Sequence, residues 1–253
     1  LDATAENRPD SSPYFRQLRH VHTITDRFSL ANTYIIDDGT LVIVDPGSAL
    51  NVRLTLAYLQ RFLHRSPNDI GLIVLTHLHP DHTSGVEALR AACNAPVAAS
   101  ALARKLAEEE EQGRRRVMPG IAHFAGQMMP GVLHHLDIFP PSYARQMRMI
   151  DLWLEDVAGL PHHNNWRIIA SPGHTPESLC LYNAFTRELL CGDTLITLEH
   201  GSPILRVGTN GSSRRQLEDT LRLLRSLDVL YLYPGHGRPI LAKNPLSTVS
   251  IAF

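Results

Sequence analysis

The sequence predicts an α/β fold, an αββα sandwich in which two mixed β-sheets pack together between outer helices. Three observations point there. Short apolar runs bounded by turn residues recur in both halves of the chain, each half also carries leucines at helical spacing, and no linker-like tract divides the 253 residues. A chain of this length can bury a sizeable core and still fold as one α/β unit, so a single domain over 1–253 is expected. Two stacked sheets with helices on their outer faces bury every apolar surface that such elements create.

Strand candidates run from Leu18 to Thr25, Ala31 to Ile36 and Leu41 to Asp45, and a helix follows with Val52, Leu56, Leu59 and Leu63 on one face. The apolar run Ile70 to Leu75 reads as a buried strand. Ser84-Gly85-Val86-Glu87 then reads as a capping box that opens a helix. After a strand at Pro96 to Ser100, the stretch from about 101 to about 165 is rich in Met and His and broken by Pro119, Pro130, Pro140 and Pro141. A helical cap inserted into the sandwich is expected there. Strands return from Trp166, through Ser178 to Tyr182 and Glu188 to Cys191. A helix from Ser213 bearing Leu217, Leu221 and Leu224 and a strand over Val229 to Leu232 close the pattern.

Charge and cysteine usage exclude several function classes. The 24 Lys and Arg nearly cancel the 25 Asp and Glu, and Arg114-Arg115-Arg116 is offset by the acidic run Glu108 to Glu111 just before it. No basic field gathers phosphate backbone, so nucleic acid is not an expected partner. No apolar stretch approaches a membrane span. The polar start, Leu1 to Pro13, does not read as a signal peptide, although a chain that begins with Leu is compatible with trimming. Cys93, Cys180 and Cys191 are odd in number and set in apolar surroundings, which reads as buried thiols in a reducing compartment. A cytoplasmic protein with a small-molecule substrate is expected.

The chemistry concentrates in Thr76-His77-Leu78-His79-Pro80-Asp81-His82, where three imidazoles and a carboxylate follow a buried strand. Imidazole with carboxylate suits zinc, iron or manganese, and the absence of cysteine points to a catalytic rather than a structural metal site. Residues two apart on an extended chain face the same way, so His77 and His79 can grip one ion while Leu78 turns inward. Three later segments repeat the pattern of strand, turn and ligand: Ser171-Pro172-Gly173-His174, Cys191-Gly192-Asp193 and Tyr233-Pro234-Gly235-His236. Pro-Gly favours a type II turn that would aim each following imidazole over its strand end. Open α/β folds gather ligands at the carboxyl ends of strands, where all four segments would converge.

This set resembles the metallo-β-lactamase fold superfamily, whose H-x-H-x-D-H signature, later His, bridging Asp and final His match His77, His79, Asp81, His82, His174, Asp193 and His236 one by one. The similarity extends upstream to Asn32-Thr33-Tyr34-Ile35-Ile36 and Leu41 to Gly47. The resemblance implies the metallo-β-lactamase fold. It implies one metal on His77, His79 and His174, another on Asp81, His82 and His236, and Asp193 between them. By the same resemblance Asp45 lies beneath the metals and orients a ligand imidazole, although residue chemistry alone also permits a turn aspartate before Pro46-Gly47.

The cofactor so implied is a pair of divalent ions, zinc first, with iron or manganese also compatible. Five neutral imidazoles and two aspartates leave such a pair formally positive, which favours a metal-bridging hydroxide as nucleophile. Asp81 and Asp193 are the candidate catalytic residues, orienting that nucleophile or moving a proton to the leaving group. The resemblance to glyoxalase II and quorum-quenching lactonases implies an ester, thioester or lactone carbonyl as target. Two features differ from those relatives: only a short tail, Gly237 to Phe253, follows the last ligand, and Ile196 stands where the lactonases carry tyrosine. Candidate substrate contacts are His123, Phe124 and Met128 in the expected cap, with Ile196 and His200 beyond Asp193. The cap's apolar residues could instead bury against a second subunit, which leaves a homodimer open. Alternatives are a mononuclear iron persulfide dioxygenase, which the chain resembles at His77, His174 and Asp193, a small-molecule phosphodiesterase, and a metal-retaining binding protein.

Overall fold

Alternation along the buried strands builds the layers. In the computed structural model, which describes residues 20–25, 31–113, 143–197, 203–206 and 214–252, Tyr34, Ile36, Val42, Val44, Leu72 and Val74 enter one core cluster. Their neighbours Ile35, Leu41, Ile43, Ile73 and Leu75 enter another. Side chains on a strand alternate between faces, so a run that reads as uniformly apolar serves two layers at once.

The first sheet has the order β1 (Val21–Thr25), β2 (Asn32–Asp38), β3 (Thr40–Val44), β4 (Ile70–Val74), β5 (Val97–Ser100) and β6 (Leu152–Leu154), antiparallel up to β3 and parallel from there. The second runs β14 (Ile240–Leu241), β13 (Tyr231–Pro234), β10 (Glu188–Gly192), β9 (Leu179–Asn183), β8 (His163–Ala170) and β7 (Gly159–Leu160), with only the β10/β13 pair parallel. Trp166, Ile168, Leu179, Leu181 and Leu190 face the first sheet across the central core. A small third sheet joins β11 (Ile196–Thr197), β12 (Pro203–Arg206) and β15 (Ser250–Ala252).

Helices cover both outer faces. Val52 of α1 (Ala49–Tyr58), Val86 and Leu89 of α3 (Val86–Cys93), and Ala103, Leu106 and Ala107 of α4 (Ala101–Glu111) pack on the first sheet. Leu217, Leu221 and Leu224 of α6 (Arg214–Arg225) pack on the second, at the i, i+4, i+7 spacing read from the sequence. The result is the αββα sandwich. Ser48 caps α1 by accepting from the backbone N–H groups of Leu50 and Asn51. The helix then widens into a π-helical turn, Leu59–Leu63, that keeps Leu59 buried and ends at His64 in the left-handed region. Among the described residues no helix is long and apolar enough to cross a membrane.

Three expectations are corrected. The segment expected to be a cap holds sandwich elements at both ends: α4 lies on the core, β6 extends the first sheet, and β7 with the start of β8 edges the second. The three-residue pairing of β6 with β5 joins segments some fifty residues apart, which no local pattern signals. Residues 114–142, with the arginine triplet, lie outside the described residues. Ser84 is not a helix cap, because Pro80 starts a separate turn, α2 (Pro80–Thr83), and the Ser84 hydroxyl donates back to the Pro80 carbonyl. Gly85 precedes α3 instead. Gly237 to Phe253 is no simple tail, since β14 and β15 each join a sheet.

Candidate metal centre

Four chain segments beyond strand ends deliver the candidate residues. β4 leads to His77 and His79, β8 to His174, β10 to Asp193, and β13 to His236. Asp81 and His82 lie on α2. The structure brings all seven together in two groups, His77/His79/His174 and Asp81/His82/Asp193/His236, with the candidate ligand atoms of each within 4.8 Å of one another.

In the first group Leu78 is fully buried, as its place between two same-facing histidines requires. The His77 and His79 rings meet edge-on at 4.7 Å, and the His174 ring stands 4.9 and 4.7 Å from them. His79 Nδ1 lies 3.0 Å from His174 Nε2. His77 Nε2 is buried without a hydrogen-bond partner among the described residues, and Asp193 Oδ2 is 4.0 Å away. A buried ring nitrogen left so is costly, and a cation bound to its lone pair would satisfy it.

The second group provides a quantitative test of fit. His236 Nε2 is 3.1 Å from Asp81 Oδ2 and 3.3 Å from Asp193 Oδ2. His82 Nε2 is 3.3 Å from Asp193 Oδ1, 3.4 Å from His236 Nε2 and 3.6 Å from Asp81 Oδ2. Tetrahedral donors about 2.0–2.1 Å from one ion sit about 3.3–3.4 Å from each other, and these spacings lie close to that, with Asp193 turning Oδ1 to His82 and Oδ2 to His236. The donor set is nitrogen and oxygen throughout. Cys191, two residues before Asp193, turns its thiol to the Leu195 and Tyr233 carbonyls at 3.7 and 3.4 Å.

Asp45 sits beneath both groups in the left-handed region, with φ of 52°. Its carboxylate accepts from the Thr76 backbone N–H (2.8 Å) and hydroxyl (2.6 Å), and lies 3.0 Å from His82 Nδ1. That contact orients the His82 ring so that Nε2 faces the group.

The glycines act differently from the turn chemistry expected of them. Gly173 has φ of 158° and Gly235 is absent from the left-handed region, so neither completes a type II turn. Close approach explains them. A Cβ at Gly235 would overlap Asp193 Oδ1, one at Gly173 would overlap Leu217, and one at Gly192 would overlap the Thr76 hydroxyl. Backbone bonds bind the same loops, from Asn32 to Gly235 (2.7 Å), Gly235 to Gly192 (2.7 Å), Gly47 to His82 (3.0 Å) and Thr197 to His236 (3.0 Å).

Burial opposes charge on His77, His174, His82 and His236, and the two pairs resolve that conflict oppositely. Burial, reinforced by the His82 and His79 rings, holds His77 well below the ordinary histidine value, and burial pushes His174 down to about 4 against the pull of Asp193. Burial also acts on His82 and His236. There it is outweighed by Asp193 and Asp81, with Asp45 adding for His82, so His82 is raised and His236 reaches about 10. Burial pushes the Asp81 and Asp193 carboxyls upward, but the His82 and His236 cations prevail and hold both well below the carboxylate range.

His236 rises from 6.5 to about 10, so its paired proton stabilises the metal-free fold fully below pH 6.5 and ceases to do so as pH climbs to about 10. An incoming cation must displace that proton. Divalent-ion affinity is therefore expected to increase with pH above 6.5, with proton release visible as buffer-dependent heats in calorimetric titration. Heats independent of buffer would contradict this.

Of the remaining candidates, Ile196 is buried on β11 opposite Ile204. His123, Phe124, Met128 and His200 lie outside the described residues. The sequence reading missed Thr76, which links Asp45 to the His77 loop, and Glu177, a buried carboxylate beside the same loop. Thr76 adjoins the motif, and a glutamate entering the buried strand β9 was the available signal for Glu177.

Comparison with known proteins agrees with this geometry. A family profile described as Metallo-beta-lactamase superfamily matches residues 26–236, spanning six of the seven clustered residues and ending on the seventh, His236. The chain belongs to the metallo-beta-lactamase superfamily. Within it, the chain is 24% identical over 232 residues to "Probable metallo-hydrolase YqjP" of Bacillus subtilis, covering 84% of this chain and 69% of that protein. It is 32% identical over 153 residues to a hydroxyacylglutathione hydrolase of Ectopseudomonas mendocina, covering 60% of this chain and 41% of the relative. The crystal structure of TTHA1623 in a di-iron-bound form shares the superfamily fold with a TM-score of 0.59 at 22% identity, covering 90% of this chain and 96% of that one.

Proposed function

We propose that the protein is a binuclear metal-dependent hydrolase of a carboxylic ester, thioester or lactone. The observation that carries this reading is Asp193, whose Oδ1 faces His82 while Oδ2 faces His77, His174 and His236, so that one carboxylate serves both groups. His77, His79 and His174 would hold one ion, Asp81, His82 and His236 the other, and Asp193 both. Divalent ions so bound would lower the pKa of a bound water towards about 7 and polarise a carbonyl oxygen. Zinc is the first choice, with iron or manganese equally able to use these donors.

The chain's own groups supply position and proton control. Asp81 and Asp193 are ionised against burial by their imidazole partners, so both are acceptors able to orient an attacking water. Either carboxylate could pass a proton to a leaving group, since both side chains keep a little exposure, 12% for Asp81 and 9% for Asp193. Five imidazoles and two aspartates give no thiolate and no covalent nucleophile, which favours direct hydrolysis. The name of the hydroxyacylglutathione hydrolase relative supports a thioester among the carbonyl substrates. The near-neutral chain favours a small molecule over nucleic acid, and three free thiols agree with a reducing, cytoplasmic setting.

Metal-loaded protein tested on thioesters, lactones, simple esters and small phosphodiesters is expected to turn over a carbonyl substrate, and His79→Ala to abolish that turnover. Activity confined to phosphodiesters would overturn the carbonyl reading. One iron per chain with oxygen consumption would overturn it in favour of the dioxygenase.

A further inference from the structure

We infer that Glu177, Tyr143 and Gln146 clamp the backbone on either side of Leu78 and thereby set the His77–His79 pincer, tuning the first metal group separately from the second. The inference rests on the two-metal reading above. Leu78 is joined to the two histidines by two peptide groups, and a polar atom of each is held by a side chain. The Leu78 N–H, in the peptide shared with His77, donates to Glu177 Oε1 at 3.3 Å. The Leu78 carbonyl, in the peptide shared with His79, accepts from Gln146 Nε2 at 2.8 Å. Glu177 Oε2 in turn accepts from the Tyr143 hydroxyl at 2.6 Å.

Glu177 and Tyr143 are buried and Gln146 is partly so, and the clamp draws on three segments of chain. Glu177 is 1% exposed and Tyr143 is fully enclosed. Glu177 lies three residues after His174, in the connection between β8 and β9. Tyr143 and Gln146 both belong to α5 (Tyr143–Gln146), a short helix packed against α4. The clamp therefore ties the loop of the third histidine to the loop of the first two, through an element that supplies no ligand. A buried carboxylate with both oxygens engaged resists rotation, which fixes the direction of both flanking peptides.

The second group has other supports. His82 is braced by Asp45 and by the Gly47 N–H, and His236 by Thr197. Partners that orient ligands commonly change metal affinity about 10–100-fold when removed. Loss of the clamp should thus weaken one ion and spare the other.

The test is chelator competition with Zn2+ on wild type, Tyr143→Phe, Gln146→Ala and the double variant, with His174→Ala marking which binding step belongs to the first group. Two steps are expected in wild type. In the double variant the first-group step should weaken by about 10–100-fold while the other stays within about threefold. Glu177→Gln, which keeps an acceptor for the Leu78 N–H, should fall between wild type and Glu177→Ala. Urea denaturation of the metal-free variants verifies that they fold, and Tyr143→Phe and Gln146→Ala supply the result if Glu177→Ala does not. Parallel weakening of both steps, or no weakening, overturns the clamp while leaving the two-metal reading intact. Wild-type protein that takes up no Zn2+ overturns both.

Discussion

Asp193→Ala is expected to retain no more than one ion and to lose at least about a thousandfold in metal-dependent turnover. The reason is positional. Among the described residues Asp193 is the one carboxylate within 4.0 Å of imidazole nitrogens from both groups, reaching His82, His236, His174 and His77. Without it, no carboxylate among the described residues stands within 4.0 Å of both clusters of imidazoles, since Asp81 reaches only His82 and His236. Charge repulsion between the ions then loses its main internal screen. Asp193→Asn keeps the shape and removes the charge, so it should resemble Asp193→Ala in metal content rather than wild type. Elemental analysis and turnover of the same sample provide the check. A variant that kept two ions and turnover within about tenfold of wild type would show that Asp193 is not shared.

Asp45→Ala carries the second large effect, and it acts through the fold as well as the site. The substitution strands the Thr76 N–H and His82 Nδ1, both buried, and leaves the Thr76 hydroxyl only its 3.2 Å contact with His77 Nδ1. Breaking a buried ion pair by removing one partner destabilises by about 3–5 kcal/mol. Alanine also tolerates the left-handed backbone at this position less well than aspartate. Metal affinity is expected to fall about 10–100-fold, because His82 loses the contact that orients it. Asp45→Asn retains the shape and the backbone tolerance, and should lie between the two. Urea denaturation of metal-free protein measures the first effect and chelator competition the second. A stability change under about 1 kcal/mol would mean that Asp45 is a turn residue with no supporting role.

The seven clustered residues could be read in the sequence because each follows an apolar strand closely, and because His77 and His79 need only the two-residue period of an extended chain to face together. The sandwich was legible for the same reason, from strands and leucine-faced helices. Contacts across long stretches of chain were not. Glu177 meets Leu78 across 99 residues and Tyr143 across 34, and neither partner marks the other locally. The glycines show a subtler failure: Pro172-Gly173 and Pro234-Gly235 matched a turn signature, yet glycine is required there by Leu217 and Asp193 from distant segments. Ser84 likewise matched a capping motif, and Pro80 overrode it by starting a helical turn four residues earlier. The edge strand β6, only three residues long, left too little pattern to separate it from the expected cap.

Anomalous diffraction from crystals of the purified, metal-loaded protein addresses the central claim most directly. Two peaks are predicted, one among His77, His79 and His174 and one among Asp81, His82 and His236, with Asp193 reaching both. A map with no peak at these residues, or with the histidines turned apart around solvent, would contradict it.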